Sequence, residues 1–358
     1  MAGWLAYISG MAMDAARLTL GPFGPVNSVS FARSGTSLAA GCHDQYARIW
    51  DAATGTELLA VRHPDNVYTV GLSPDGAILA TGTGSGLVRV LDAGTGDELG
   101  RAQHRDNASV VALAVSPDGA AVGYGDTSGV LRVIEARTGS PLLAADQADE
   151  VTCVEFSPDS RQLIAASYTG AAALLTLGPE PGVTEIRGMA GNPHRPARSP
   201  GPSLRAATFS PAGDLVAFGG HDAIETRRGS AHIATTAGEL VASFRPGDYV
   251  SSIAFGPADR TVVLACGTQL VAYEVESGSI SWRAPHDGLV WVVAPSPDGT
   301  TLATASQDRT ARLIDAASGA ELARFQHDGP VTAVAFSPDG DSVATGSWDG
   351  HARVFDVP

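Results

Sequence analysis

The sequence predicts an all-β protein assembled from repeated four-stranded units, and three observations support this. Residues 331–356, VTAVAFSPDGDSVATGSWDGHARVFD, contain three short runs that alternate apolar with small or polar residues, as strands with two packed faces do. SPDG and Asp349-Gly350 separate these runs and supply the Pro, Asp and Gly that tight hairpins need. The pattern begins eight times, at Val26, Val67, Val110, Val151, Leu204, Val250, Val290 and Val331.

The spacing of these repeats indicates a β-propeller, a closed ring of four-stranded antiparallel blades. Successive copies start 41, 43, 41, 53, 46, 40 and 41 residues apart. A period of about 40 to 45 residues with four short strands is typical of a blade, which buries its faces only against neighbouring blades. Insertions at 178–203 and 221–230 interrupt the two longest intervals. We therefore expect residues 1–358 to form one propeller of eight blades, or of seven if one degenerate copy is not a blade.

The eighth copy stops after its third strand, at Val354-Phe355-Asp356, and leaves a sheet edge that another segment must cover. The segment ARLTL, residues 16–20, precedes the first copy just as ELARF precedes the eighth. We expect residues 15–25 to supply the missing outer strand and the loop after it, behind an N-terminal extension, residues 1–14. The ring would then close with strands from opposite ends of the sequence.

The motifs resemble those of the WD-repeat family of β-propellers, in the form found in bacteria. The resemblance covers residues 15–358 and rests on HD or HxD, SPDG, S-x-D-G, R-V-x-D and TG-x-EL in a fixed order. Trp50-Asp51 alone keeps the dipeptide that names the family. The resemblance implies a scaffold for protein interactions that carries out no catalysis.

Composition and charge exclude several kinds of partner. The formal net charge is −15 and the isoelectric point is about 4.9, so the protein repels nucleic acids and anionic membranes. Cys42, Cys153 and Cys266 fall in different repeats without CxxC spacing, which favours buried thiols in a reducing compartment. The first 18 residues lack the basic start of a signal peptide and are too short to span a membrane. We expect a cytoplasmic protein.

Two repeats carry a Ser/His/Asp set that could suggest a catalytic triad. His286, Ser306 and Asp308 stand at the same repeat positions as His327, Ser347 and Asp349. A triad also needs an exposed nucleophile and an oxyanion site, and a set that recurs within strands at the blade period favours a structural role. In the WD-repeat family these positions imply a network in which the turn Asp accepts from the His ring, the His meets the Ser hydroxyl, and a Trp on the third strand completes the chain.

The other repeats keep only parts of this network. The first has Asp44 and Trp50, but Cys42 stands where Ser would be. Ser85 and Ser128 replace the turn Asp in the second and third repeats, so we expect blades two to six to depend on packing alone. No set of His, Cys and carboxylates has metal-ligand spacing, and the Gly-rich residues 82–86 precede no helix, so we expect no metal and no cofactor.

In the WD-repeat family, one face of the ring, called the top, is lined by the loops that enter the inner strands and by the turns between second and third strands. The resemblance places acidic residues there at Asp65, Asp106, Asp149, Glu150, Asp248, Asp287 and Asp328, and aromatic or imidazole residues at His43, Tyr68, Tyr168, Tyr249, Trp291 and Trp348. Aromatic anchors among carboxylates suggest a surface that binds a basic peptide or protein segment. The alternative is that about half of them are tucked between loops and cap the blades.

Two other functions remain as alternatives. A hydrolase or a small-molecule sensor would use the central channel, but the inner strands are apolar and small, with the sequences VSFA, VGLS, VAVS, VEFS, ATFS, IAFG, VAPS and VAFS. A subunit of a homo- or hetero-oligomeric assembly would dock the loop 190–203 on the acidic face of the next copy, using His194, Arg195 and Arg198.

Overall fold

The structure, a computed structural model, describes residues 15–104, 108–168, 170, 172–186, 203–221 and 228–358. These residues form eight four-stranded antiparallel sheets. The inner strand of each sheet packs against the inner strands of the sheets before and after it, and the last packs against the first, so the sheets form a closed ring. The eight-bladed propeller predicted from the sequence is confirmed.

Each blade has one strand at each of four radial positions, numbered here β1 to β32 in chain order. The inner strands are β2 (Val26–Phe31), β6 (Val67–Leu72), β10 (Val110–Val115), β14 (Val151–Phe156), β18 (Ser203–Phe209), β22 (Val250–Phe255), β26 (Val290–Pro295) and β30 (Val331–Phe336). The second strands are β3 (Ser37–Cys42), β7 (Ile78–Thr83), β11 (Ala121–Asp126), β15 (Gln162–Ser167), β19 (Leu215–His221), β23 (Thr261–Cys266), β27 (Thr301–Ser306) and β31 (Ser342–Ser347).

The outer half of each blade completes the sheet. The third strands are β4 (Tyr46–Asp51), β8 (Leu87–Asp92), β12 (Leu131–Glu135), β16 (Ala172–Thr176), β20 (Gly229–Thr235), β24 (Gln269–Glu274), β28 (Thr310–Asp315) and β32 (Ala352–Asp356). The outer strands are β5 (Glu57–Arg62), β9 (Glu98–Gln103), β13 (Pro141–Ala144), β17 (Gly182–Ile186), β21 (Leu240–Phe244), β25 (Ile280–Pro285), β29 (Glu321–Gln326) and, for blade eight, β1 (Leu18–Leu20). Among the described residues, no helix is both long and apolar enough to span a lipid bilayer.

The ring closes as the repeat pattern predicts, because β1 is the outer strand of blade eight. β1 pairs antiparallel with β32, with Leu18 opposite Val354 and Leu20 opposite Ala352. The Arg17 side chain lies 3.3 Å from a carboxylate oxygen of Asp356 and adds an exposed ion pair to this edge. The eighth blade is therefore built from segments more than 300 residues apart in the sequence.

Every inner strand contains a β-bulge near its start. In all eight blades the register between inner and second strands skips one residue there, for example between Val26 and Ser28. A bulge leaves its residue outside the ladder and redirects its side chain. Side-chain hydrogen bonds of 2.6 to 3.0 Å run from this position to the carbonyl of the residue that starts the next repeat, from Asn27 to Val67, Thr152 to Leu204, Ser251 to Val290 and Thr332 to Val26. These bonds join neighbouring blades around the channel.

Small residues on the second strands let the blades approach closely. A Cβ built on Gly125 would lie 2.3 Å from a methyl group of Val151 in the next blade, and one on Gly82 would lie 2.6 Å from a methyl group of Val110. Both distances are shorter than packed carbon atoms tolerate, so the next blade would have to move. This contact explains why Gly stands at positions 82 and 125.

Candidate functional site

On the top face, the turn between the second and third strands of a blade is hydrogen-bonded to the loop that enters the inner strand of the same blade. The backbone N–H of Trp348, in the turn between β31 and β32, donates to the carbonyl of Pro330 in the loop before β30 at 2.9 Å. The N–H of His43 makes the equivalent bond to the carbonyl of Pro25 at 2.9 Å. Each inner strand is thus entered from a loop that is fixed to its own blade.

Trp291 and Trp348 form an aromatic pair on this face. Trp291 is the bulge residue of β26, and Trp348 lies in the second turn of blade eight. Their ring centroids are 5.6 Å apart with an interplanar angle of 44°, in the range of favourable aromatic pairs. Trp348 is 53 % exposed, whereas the other large hydrophobic residues that are exposed in the described part of the chain lie on outer strands. An exposed Trp on this face is a candidate anchor for a binding partner.

Two predicted carboxylates flank the tryptophan pair. Asp287 and Asp328 are exposed, and each has a backbone N–H that donates to a buried turn carboxylate, Asp308 at 3.2 Å and Asp349 at 3.1 Å. The Asp287 side chain is 84 % exposed, so its 3.4 Å contact with Arg312 is a weak surface pair. Both side chains can therefore accept a cation from solution.

The turn aspartates below this surface belong to a buried charge network that the sequence analysis missed. Asp308 lies 2.7 Å from Arg312, and Asp349 lies 2.7 Å from Arg353. Burial alone would raise the pKa of Asp308, but hydrogen bonds from Thr310 and the charge of Arg312 hold that pKa below its usual value. The signal was present in the sequence, because blades one, seven and eight each place an Arg four residues after the turn Asp.

The histidines bond to threonine and neither to the expected serine nor to the turn Asp, so the predicted network is wrong in both contacts. Nε2 of His286 lies 3.0 Å from Oγ1 of Thr304, and Nε2 of His327 lies 2.8 Å from Oγ1 of Thr345. Ser306 donates instead to the carbonyl of Leu289 at 3.1 Å, and Ser347 donates to the carbonyls of Gly329 and Pro330. The Thr stands two residues before the Ser, on the same face of the strand, and the ring reaches one pleat deeper into the blade. Ser306 and Ser347 therefore fix loops and are not activated by a base.

Blades one to three also differ from the expected hydrogen-bond network. In blade one, Asp44 bonds to Arg48 at 2.6 Å, while Trp50 is buried and packs on Phe23 at a centroid distance of 5.5 Å. Blades two and three do not depend on packing alone. His63 lies 2.9 Å from Thr81, and the His104 ring bonds to the fully buried carboxylate of Asp126.

The remaining predicted top-face residues form separate pairs around the rim, so the six aromatic or imidazole side chains do not make one continuous patch. His43 and Tyr68 lie 5.9 Å apart between blades one and two. The guanidinium of Arg205 lies 5.2 Å from the centre of the Tyr168 ring between blades four and five. The remaining members are Tyr249, Asp65 and Glu150, which are half-buried, and Asp149 and Asp248, which are exposed. Asp106 and residues 190–202 of the predicted docking loop lie outside the described residues.

The central channel contains a carboxylate, although the sequence analysis interpreted the inner strands as apolar and small. A cavity of about 510 Å³ is lined by residues of β14, β18, β22 and β26, including Glu155, Cys153, Ser252 and Trp291. Burial raises the pKa of Glu155 to about 7, against the opposing effect of two hydrogen bonds from the next blade. The described residues hold no group of three or more His, Cys, Asp or Glu side chains arranged to bind a metal ion.

Comparison with known proteins agrees with this architecture. The family model for the WD domain, G-beta repeat, matches residues 17–51, 56–92, 141–172, 280–315 and 319–356. One solved structure, the crystal structure of the computationally designed Ika8 protein, superposes with a TM-score of 0.77 at 21 % sequence identity, covering 96 % of this chain and 99 % of that chain. No curated protein shows significant similarity to the chain.

Each matched segment begins on the outer strand of one blade and continues into the next blade: eight to one, one to two, three to four, six to seven and seven to eight. Propellers of this type are typically protein-interaction scaffolds and mostly non-catalytic. The repeats, the eight four-stranded blades and the family match together show that this chain belongs to the WD40 repeat family of β-propellers.

Proposed function

We propose that this protein is a non-catalytic scaffold that binds a Lys- or Arg-containing protein segment at one sector of its top face. The sector consists of Trp291, Trp348, Asp287 and Asp328, and we call it the tryptophan sector. The observation that carries the proposal is the exposed Trp348, whose ring is paired at a tilt with that of Trp291 beside two exposed carboxylates. Aromatic anchors with a charged rim are typical of the centres of protein interfaces.

The chemistry of the sector favours a cationic partner. A guanidinium or ammonium group can lie against an indole face while the neighbouring carboxylates attract its charge. The rim already shows this contact within the chain, since Arg205 covers Tyr168. In the described part of the protein, no Arg side chain covers either tryptophan of the sector, and the sequence contains no Lys. The sector is therefore a part of the rim that can accept a cation from a partner.

A peptide array provides the first test. Short Lys- and Arg-containing peptides are immobilised beside twins in which every Lys and Arg is Gln, and retention of the wild type is compared with that of Trp348→Ala and of the double variant Asp287→Lys/Asp328→Lys. The matched control is Asp97→Lys/Asp341→Lys, which makes the same charge change at two exposed turns on the opposite face. We expect the wild type and the control to prefer basic peptides, and the sector variants to lose about tenfold or more in affinity.

Because the sequence contains no Lys, chemical cross-linking provides a second test. A carbodiimide joins carboxylates to amines, so in a mixture with a bound peptide its products link this chain's carboxylates to the partner's Lys. Cross-links at Asp287 or Asp328 support the proposal. Retention that does not distinguish the basic peptides from their Gln twins, or that is unchanged in the sector double variant, contradicts it.

Arg309 provides an independent variant with the opposite sign. It is exposed in the second turn of blade seven, next to Asp308, and adds positive charge close to the sector. We expect Arg309→Ala to strengthen the binding of a basic peptide modestly, because it removes a like charge.

A further inference from the structure

We propose that the central channel holds a second binding site, for a small organic molecule that carries an ammonium group, with the carboxylate of Glu155 as its counter-charge. This site shares Trp291 with the tryptophan sector, but its charged group is Glu155 rather than Asp287 or Asp328. It does not require that the top face binds a peptide.

Glu155 is the one ionisable side chain at its level of the channel. The fifth residues of the eight inner segments, counted from the repeat starts, are Ser30, Gly71, Ala114, Glu155, Thr208, Ala254, Ala294 and Ala335. Thr208, Ala254 and Ala294 line the same cavity as Glu155. A single carboxylate therefore projects from a ring of small side chains, which leaves room beside it.

The link between blades four and five does not by itself require a carboxylate at position 155. Oε1 of Glu155 accepts hydrogen bonds from the hydroxyl of Thr208 at 2.9 Å and from the N–H of Phe209 at 3.0 Å. Ser30 makes the equivalent link in blade one, where its hydroxyl accepts from the N–H of Leu72 at 3.3 Å. A serine thus suffices to join two blades. Glu155 adds a second oxygen, Oε2, which has no hydrogen-bond partner among the described residues.

Arg205 also lines the cavity, but its guanidinium lies against the Tyr168 ring, and the described residues include no ion pair with Glu155. On its own strand the other titratable group is Cys153, whose thiol has a pKa raised to about 11 by burial. The neighbouring β10 contains no ionisable residue, and β18 contributes only Arg205, whose guanidinium lies over Tyr168 on the rim. Burying a carboxylate without a cation is costly, and burial accordingly raises the pKa of Glu155 to about 7. A bound ammonium group would remove that cost and keep the carboxylate charged.

The cavity is suited to a small ligand with an apolar body. Its volume is about 510 Å³, within the range of ligand pockets. Ile253, Ala254 and Phe255 supply an apolar wall, and Trp291 lies at the end of the cavity nearest the top face. A compact alkyl or aryl ammonium ion could place its nitrogen at Glu155 and its carbon atoms against this wall. Because Trp291 lines the cavity, we expect a bound amine to change its share of the protein's tryptophan fluorescence.

The test uses three probe ions, butylammonium, cyclohexylammonium and benzylammonium, at constant ionic strength. Calorimetry and tryptophan fluorescence are recorded at pH 8 for the wild type, Glu155→Gln and Glu155→Ser, with butanol and cyclohexanol as neutral controls. Gln and Ser keep an acceptor for Phe209, and circular dichroism shows whether each variant is folded. We expect saturable binding of at least one amine by the wild type, at least about tenfold weaker binding by both variants, and no binding of the alcohols.

The pH dependence gives a second criterion. Wild-type affinity should fall between pH 8 and pH 6, because protons compete with the amine for Glu155. The double variant Asp287→Lys/Asp328→Lys should bind the amines as the wild type does, which separates this site from the tryptophan sector. The proposal is overturned if no probe shows saturable binding at pH 8, or if either Glu155 variant binds as tightly as the wild type.

Discussion

The buried histidines predict a loss of stability in mild acid. His63, His232, His286 and His327 are 2 %, 3 %, 7 % and 3 % exposed, and burial lowers the pKa of each to about 4. In the unfolded chain these groups titrate near 6.5. Because the folded pKa is the lower one, the unfolded state takes up protons that the folded state cannot. Stability is therefore complete above pH 6.5 and decreases as the pH falls towards 4.

The size of the effect follows from the two pKa values. Between pH 7.5 and pH 5.0, each histidine with a folded pKa of about 4 should reduce the free energy of unfolding by about 2 kcal/mol. Four independent histidines would give a loss of about 8 kcal/mol, comparable with the whole stability of many domains. The neutral ring is also held by geometry. Nδ1–H of His327 donates to the carbonyl of Phe325, so Nε2 accepts from Thr345.

Urea unfolding, followed by circular dichroism at pH 7.5 and pH 5.0, measures this loss. His327→Gln should be less stable than the wild type at pH 7.5, but its loss between the two pH values should be about 2 kcal/mol smaller. His43→Gln is the matched control, because His43 is exposed. An NMR titration gives the pKa of each ring directly. The reasoning is refuted if His327 titrates near 6.5 in the folded protein, or if His327→Gln keeps the full acid-dependent loss.

Three further outcomes follow from the structure. Glu155→Gln should raise the free energy of unfolding at pH 8 by at most about 3 kcal/mol, and by little near pH 5. The reason is that the pKa of Glu155, about 7 in the folded protein, exceeds its value in the unfolded chain, so the wild type loses stability as the pH rises between the two values. Equal urea midpoints for the two proteins at pH 8 would contradict this. Arg312→Ala should cost about 3 to 5 kcal/mol in the same assay by leaving Asp308 buried without its cation, and Arg312→Leu/Asp308→Asn should recover part of that loss. Deletion of residues 15–20 should expose the edge of β32 and increase proteolysis of blade eight, whereas protection equal to that of the full chain would show that β1 does not hold the ring closed.

The fold was predictable because each repeat carries its own local signals. SPDG turns, alternating strands and a constant interval specify a blade, and ARLTL could be assigned to the last blade by comparison with ELARF. The histidine network was harder, since Thr304 and Ser306 face the same side of one strand and only depth decides which of them meets the ring. The Asp-x-x-x-Arg spacing of blades one, seven and eight is visible in the sequence.

The candidate site depended more on three-dimensional distances. Trp291 and Trp348 come from different blades, and no sequence interval shows that their rings lie 5.6 Å apart. Tyr168 was predicted as part of the same surface, but a bulge residue, Arg205, covers it from the next blade. Glu155 was present in the segment VEFS, yet its importance appears only when the seven small residues at the same level of the ring are placed beside it.

The pairing of β1 with β32 also determines how the ring responds to mechanical force. The two strands are antiparallel, and Leu18 lies opposite Val354 near the ends where the chain leaves the sheet. A pull between Arg17 and Asp356 therefore acts across the strands and breaks their hydrogen bonds one after another, like a zipper, rather than all together in shear. Three paired residues opened in sequence resist little force. Tension between Arg17 and Asp356 would separate β1 from β32 before it strained any other blade.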